Sequence, residues 1–297
     1  MTAADTSIEL TQVAWNVKDG GIDGASEDRR IQQLEFLDSF YDLDLLWIME
    51  GTGWHESRRI NDVESVTGLT ALPPVTSRIG DGRNHSIMFY NADKLTPSRP
   101  HTELARGAFY HSVSRDVFDV DGIPLLALGT HLSFDSGAAR LAEAHFLADY
   151  GGEFPGWPED KVLLMDANAP DDNDPELEDW SRVPQCLWHR YREILPDGSF
   201  GDWDRGARRL LLNSGWCDPQ NEVRVQREPT VGYWYDNEKV PLHLDQIMVT
   251  GPRIEVVDYR TLMPENHDLT KLSDHLPVQL DIRLHRRPRE SQANSAA

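Results

Sequence analysis

The stretch "LTKLSDHLPVQLDI", Leu269–Ile282, sets two unlike patterns end to end. From Leu276 onward it alternates apolar and polar residues, which predicts a half-buried strand entered through Pro277. Just ahead of that strand stand Asp274 and His275, and a carboxylate beside an imidazole is costly to bury. Either they form a solvated turn or they do chemistry. One copy of the motif does not decide, but other strands raise the same choice.

Short apolar runs alternate with helical patterns along the whole chain. Residues 7–17, 42–51, 84–91, 109–120, 122–133, 161–169, 243–251, 253–263 and 276–284 read as strands. The pair around "VDG" (120–122) carries a hairpin signal. Residues 27–41 read as a helix with Ile31, Leu34, Leu37 and Tyr41 on one face, and 137–150 and 205–215 as two more. With no repeat and no break in composition, these elements predict an α/β domain over residues 1–285, built on two packed sheets. Residues 170–240 read as long surface loops that set substrate choice, including a solvated acidic run "DDNDPELED" at 171–179. A disordered basic and polar tail is expected over 286–297.

The 297 residues carry 50 acidic against 29 basic side chains, a formal net charge of −21. Binding to long nucleic acid depends on Lys and Arg neutralising phosphates, so this balance weighs against an extended polyanionic substrate. It suits a site that gathers divalent cations. Cys186 and Cys217 follow no metal-ligand spacing and read as reduced packing residues. The N-terminus has no basic region leading into an apolar stretch, and no run resembles a membrane span, so a cytoplasmic protein without a membrane or partner protein is expected.

Strand after strand ends in a polar residue. Asn16 closes "QVAWN", Glu50 closes "LLWIME", His131 closes "LLALGTH", and Asp166 with Asn168 closes "VLLMDAN". Asp245 lies in "LHLD", and Asp274 and His275 complete the set. Singly, each has a bland reading as a cap, an ion pair or a packed histidine. Together, at one edge of a sheet system, they would repel one another without a cation, and carboxylate and amide oxygens are the hard ligands that Mg²⁺ prefers. No HExxH or Cys/His spacing points to zinc.

The ordered motifs WN, ME, TH, DAN, LDQI and SDHLPV resemble the endonuclease/exonuclease/phosphatase (DNase I-like) superfamily, from about Ile8 to Leu284. The resemblance implies a four-layer α/β/β/α sandwich of two mixed β-sheets with outer helices. It also implies a metal-dependent phosphoric ester hydrolase using Mg²⁺ or Mn²⁺ on a small molecule or a nucleic-acid end. Carried over by position, Glu50 is the principal metal ligand, with Asn16 and Asp274. Asp166 orients or deprotonates the attacking water, and Asn168 holds a phosphate oxygen. His275 stands at the scissile phosphate, held by Asp245, and His131 is the second phosphate-side histidine. The chain departs from the family pattern at Met49, where Gln is usual, at Met165 and Ala167 around the aspartate, and at Leu244. None of these removes a charged or ligating group.

Arg140 matches an arginine of several branches, and Trp54 and His55 directly follow Glu50, so these three are candidates for substrate binding. Trp203, Trp216, Trp234 and the "YWY" at 233–235 offer an aromatic platform or, more simply, packing. The expected function is hydrolysis of a small or short phosphoester. A DNA or RNA nuclease is the alternative, and a non-hydrolytic enzyme or binding protein reusing the pocket is a third.

Overall fold

A computed structural model describes residues 7–55, 57–78 and 82–289. Two sheets face each other. The first orders its strands Ile254–Thr261, Val278–Leu284, Ile8–Asn16, Leu45–Met49, His85–Tyr90 and Thr70–Ala71, with Val75–Thr76 also paired to His85–Tyr90. The second orders Asp245–Thr250, Asp160–Asp166, Ile123–His131, Val113–Val120 and Thr96–Pro97. Each sheet is mixed: Ile8–Asn16 runs parallel to Leu45–Met49 and antiparallel to Val278–Leu284. Asp160–Asp166 runs parallel to Ile123–His131 and antiparallel to Asp245–Thr250. The "VDG" hairpin forms, with Val120 opposite Ile123.

Period-two alternation explains the layering. Leu45, Trp47 and Met49 enter the core between the sheets, while Leu46 and Ile48 enter the cluster beneath the helices Asp28–Leu37 and Ser57–Thr67. On the other side, Leu126, Leu128, Leu163 and Met165 pack beneath Gly137–Ala148 and Gly206–Asn213. The sheets meet most closely where Gly129 faces Trp47. A Cβ on Gly129 would lie 2.5 Å from the indole, whose Nε1–H donates to Thr130 O at 3.1 Å.

The helix Asp28–Leu37 keeps only part of the face that its apolar spacing suggests: Leu37 is buried and Leu34 packs against the core. Tyr41 lies beyond its end and is 95% exposed, and Ile31 is 48% exposed. The buried face is Arg29, Arg30, Gln33, Phe36 and Leu37. Its polar members satisfy loop carbonyls: Arg29 Nη1 donates to Val17 O, Lys18 O and Leu272 O, and Gln33 Nε2 donates to Val17 O and Leu272 O. The helix is therefore a clamp on the two loops that follow the WN strand and precede SDH.

Residues 170–240 also differ from a set of surface loops. They contain the ribbon Arg192–Ile194 with Phe200–Trp203 and a cluster in which Val183, Trp203, Val240 and Leu242 are buried. The acidic run is partly interior. Asp171 pairs with Arg208 at 3.2 Å, and Asp174 lies 2.6 Å from His243 Nδ1, so basic partners distant in sequence compensate its charge. Of the expected tail, residues 290–297 lie outside the described residues. Among the described residues, no helix is long and apolar enough to cross a membrane.

Overpacking at the closest sheet contact gives one test. Gly129→Ala should destabilise the protein by about 1–3 kcal/mol, read by urea unfolding, because Trp47 has no room to yield. A second concerns pH. Hydrogen bonding from Arg59 lowers the Glu27 carboxyl to about 2, with burial opposing and Arg30 assisting. The resulting stabilisation is complete above the pH at which an unfolded glutamate ionises, and is lost as pH falls from there through about 2. Glu27→Gln should remove on the order of 1 kcal/mol of stability at neutral pH and progressively less in acid.

Candidate active site

Register assembles half of the site. At the end of the second sheet, Asp166 stands directly beside His131 on one neighbour strand and Asp245 on the other. In the first sheet Asn16 pairs with Met49, which puts Glu50 one step beyond it. The SDH turn is sewn to this edge by Ser273, whose Oγ donates to Asn16 O at 2.7 Å and accepts from His275 N–H at 3.2 Å. Trp15 Nε1–H donates to His275 O at 3.1 Å, which fixes the turn from the other side.

Asn16 joins the two sheets. Its Nδ2 donates to Glu50 Oε1 at 2.9 Å and to Asp166 Oδ2 at 3.2 Å, while its Oδ1 accepts from Lys18 N–H at 3.1 Å. As oriented, the amide presents hydrogens to the carboxylates, so it acts as a bridge between them. Met49 adds a second link, its sulfur accepting from Asp166 N–H at 3.2 Å. The Met49 side chain thus serves the backbone of Asp166 in the facing sheet.

Asp166 is 1% exposed. Its Oδ1 accepts from Asn168 N–H at 2.9 Å, and Oδ2 lies 3.4 Å from His131 Nε2 and 3.6 Å from His275 Nδ1. Asn168 reaches this position with φ 47°, a left-handed conformation that Asn tolerates better than most residues, and its Nδ2 donates to Leu132 O at 2.9 Å. His275 Nδ1 lies 2.8 Å from Asp245 Oδ2, which leaves Nε2 as the nitrogen free to meet a substrate.

Burial and charge tune these groups in opposite directions. Burial opposes the His275 imidazolium, but the carboxylates of Asp245 and Asp166 outweigh it and hold its pKa well above the ordinary value. His131 is pulled down to about 3 by burial and by the charge of His275, so it stands neutral. Burial raises the carboxyl of Glu50, and the charge of Asp274 raises it further; the same two causes act on Asp166. Hard oxygen donors crowded so that the charge of Asp274 raises its neighbours fit a divalent cation, which relieves such repulsion. Asp166, Asp245 and His275 also bring ligand atoms within 4.8 Å of one another. His275 Nδ1 is already engaged by Asp245, and the carboxylates of Glu50 and Asp274 line the cleft beside this trio.

A cleft of ≈ 200 Å³ opens over this edge. Glu50, His131, Asp166, Asn168, Asp274 and His275 form its floor. Trp234, Tyr235, Tyr191 and Phe134 line its walls with Arg190 and Glu238. The three candidate substrate contacts lie outside this lining. Arg140 is fully buried and donates to Ser133 O, Arg190 O and Asp204, so it braces the cleft wall from behind. Trp54 is 2% exposed with its Nε1–H on Gly20 O, and His55 is exposed beside the His85 ring. Trp203 and Trp216 are core residues, whereas Trp234 and Tyr235 do reach the cleft.

Sequence reasoning passed over Ser273 and Lys18, and finds no spacing partner for His111. The His111 ring stacks on His131 with centroids 3.7 Å apart and planes parallel, anchored by Ser77 Oγ at 3.1 Å from its Nδ1. No spacing signal links His111 to His131, because His111 lies just before the strand Val113–Val120 and His131 ends the strand paired with it.

No protein-family model matches the chain, and no curated protein matches it either. Solved structures do. A Bacteroides thetaiotaomicron protein of the endonuclease/exonuclease/phosphatase family superposes with a TM-score of 0.62 at 16% identity, covering 94% of this chain and 99% of its own. The chain has the endonuclease/exonuclease/phosphatase fold. Two further structures with this fold are a mannosyl-6-phosphatase from Bacteroides thetaiotaomicron and D. rerio TDP2 bound to a single-stranded DNA product. The first has a TM-score of 0.59 at 16% identity, covering 92% of this chain and 99% of its own. The second has a TM-score of 0.62 at 14% identity, covering 92% of this chain and 98% of its own.

The Asp245–His275 contact yields a prediction for any reaction the site carries out. Asp245→Asn removes the largest influence sustaining the imidazolium, so the alkaline limb of the kcat/KM profile should move to lower pH. A limb that stays in place would show that His275 does not depend on this carboxylate.

Proposed function

We propose that this chain is a metal-dependent phosphoesterase acting on a small or short phosphoester, with residues 1–285 as the working unit. The observation that carries the proposal is the convergence of Asn16, Glu50, His131, Asp166, Asp245, Asp274 and His275 on the floor of one cleft or directly beneath it. The fold, shared with phosphatases and nucleases, supports the same reading.

Phosphate esters resist attack because their own charge repels a nucleophile, so an active site must absorb charge and aim a water in line. Glu50 and Asp274 would hold the ion, and Mg²⁺, or Mn²⁺ in its place, would supply Lewis-acid charge to the phosphoryl oxygens. Asp166 keeps a raised carboxyl between His131, His275 and Asn16, a placement suited to orienting and deprotonating water. The His275 imidazolium presents Nε2 to the charge that develops on the phosphoryl group, and Asp245 holds its ring and tautomer. Neutral His131 can donate from Nε2, and Asn168 borders the same space for a phosphate oxygen.

The cleft wall favours a small substrate. Four acids line the cleft, the overall charge is −21, and Arg190 already lies 3.5 Å from Glu238. A long polyanion would be repelled, whereas one phosphoryl group with a compact, partly apolar leaving group meets Phe134, Trp234 and Tyr235. The free thiols of Cys186 and Cys217 accord with a cytoplasmic setting.

A panel of phosphomonoesters, phosphodiesters, nucleotides and plasmid DNA, each with Mg²⁺ and Mn²⁺, tests the reading. Turnover should be confined to small esters and abolished by chelation. His275→Ala and Glu50→Gln should each lose about 10²–10⁴-fold in kcat while the melting temperature holds. Preferential cleavage of plasmid DNA with a steep salt dependence would favour a nuclease instead.

A further inference from the structure

The loop after the WN strand adopts a rarely populated backbone to place a lysine. Lys18 has φ 52° and ψ 109°, and Asp19 has φ 51°, in the half of conformational space that L side chains seldom enter. Such geometry persists only where the surroundings over-determine it. Here Asp19 N–H donates to Glu50 Oε2 at 3.2 Å, and Arg29 clamps Val17 O and Lys18 O from below.

The lysine so delivered has a side chain only 19% exposed, and its Nζ lies 3.4 Å from Asp274 Oδ2. It donates to Tyr235 OH at 2.7 Å and lies 5.8 Å from the centroid of the Trp234 ring. Tyr235 OH in turn donates to the same Asp274 oxygen at 3.1 Å. One oxygen of Asp274 is thus committed to an ammonium and a phenol. Among the described residues, the other, Oδ1, has only a long 3.5 Å contact from Ser273 Oγ.

We propose that Lys18 is a resident cation that occupies one side of Asp274 and restricts the site to a single divalent ion, held by Glu50 and the remaining Asp274 oxygen. The inference rests on the metal-dependent reading above and deepens it. Two divalent ions clamped on one phosphoryl group stand about 3.5–4 Å apart and rely on shared carboxylates. A fixed ammonium on Asp274 removes the shared oxygen and repels a second dication. It supplies instead a positive charge fixed against Asp274, with its orientation set by Tyr235. The ordinary alternative, a solvated surface ion pair, would leave metal binding indifferent to Lys18.

Calorimetric titration of the chelator-treated full chain with Mn²⁺ alone tests this without reference to turnover. The wild-type protein should bind one Mn²⁺. Lys18→Met, which keeps the bulk and removes the charge, should bind that ion about tenfold more tightly. Lys18→Asp should admit a second. Unchanged melting temperatures would certify the fold of both variants. Two ions in the wild type, an affinity in Lys18→Met within twofold of the wild type, or a single ion in Lys18→Asp would each overturn the role of Lys18. Failure of the wild type to bind any Mn²⁺ would overturn the metal-dependent reading itself, and the Lys18 inference with it.

Discussion

One amide holds the two halves of this protein in chemical register. Asn16 Nδ2 reaches Glu50 in its own sheet and Asp166 in the facing sheet, and Met49 accepts the Asp166 N–H beside it. Two acids approach one another there at the cleft floor, an arrangement that is tolerable only if donors fill the gap. The close sheet packing at Gly129 and Trp47 makes the reach possible, since a wider separation would leave Asn16 short of Asp166. Site and core are consequently parts of one construction.

The electrostatics of the cleft follow from that closeness. Glu50, Asp166, Asp245 and Asp274 crowd one edge, while His275 and Lys18 are the cations built in among them. The division of labour is set by partners. Asp245 faces His275 and fixes its tautomer, with its Oδ1 left without a partner among the described residues. Asp274 faces Lys18 and Tyr235, and Glu50 faces Asn16. The four carboxylates outnumber these two cations at this edge.

The helix Asp28–Leu37 and the segment 170–240 show how the surroundings serve the site. Arg29 and Gln33, on the helix's buried face, tie down the loops carrying Lys18 and Ser273. The segment 170–240 builds its own small core around Trp203 and projects Tyr191, Trp234 and Tyr235 into the cleft. Arg140 sits behind this wall with its guanidinium spread over two backbone carbonyls and Asp204. An arginine near an active site can shape a substrate pocket without touching the substrate.

Local pattern determined much of this. Alternating apolar residues located the strands, and polar residues at their ends located Asn16, Glu50, His131, Asp166, Asp245 and His275, because period two and burial are written in neighbouring positions. Burial of Asp171 and Asp174 within "DDNDPELED", the stacking of His111 on His131, and the contact of Lys18 with Asp274 were decided by tertiary structure alone. Each joins residues far apart in the chain. A side chain's partner across such a separation depends on sheet register and loop conformation, and local sequence carries no trace of either.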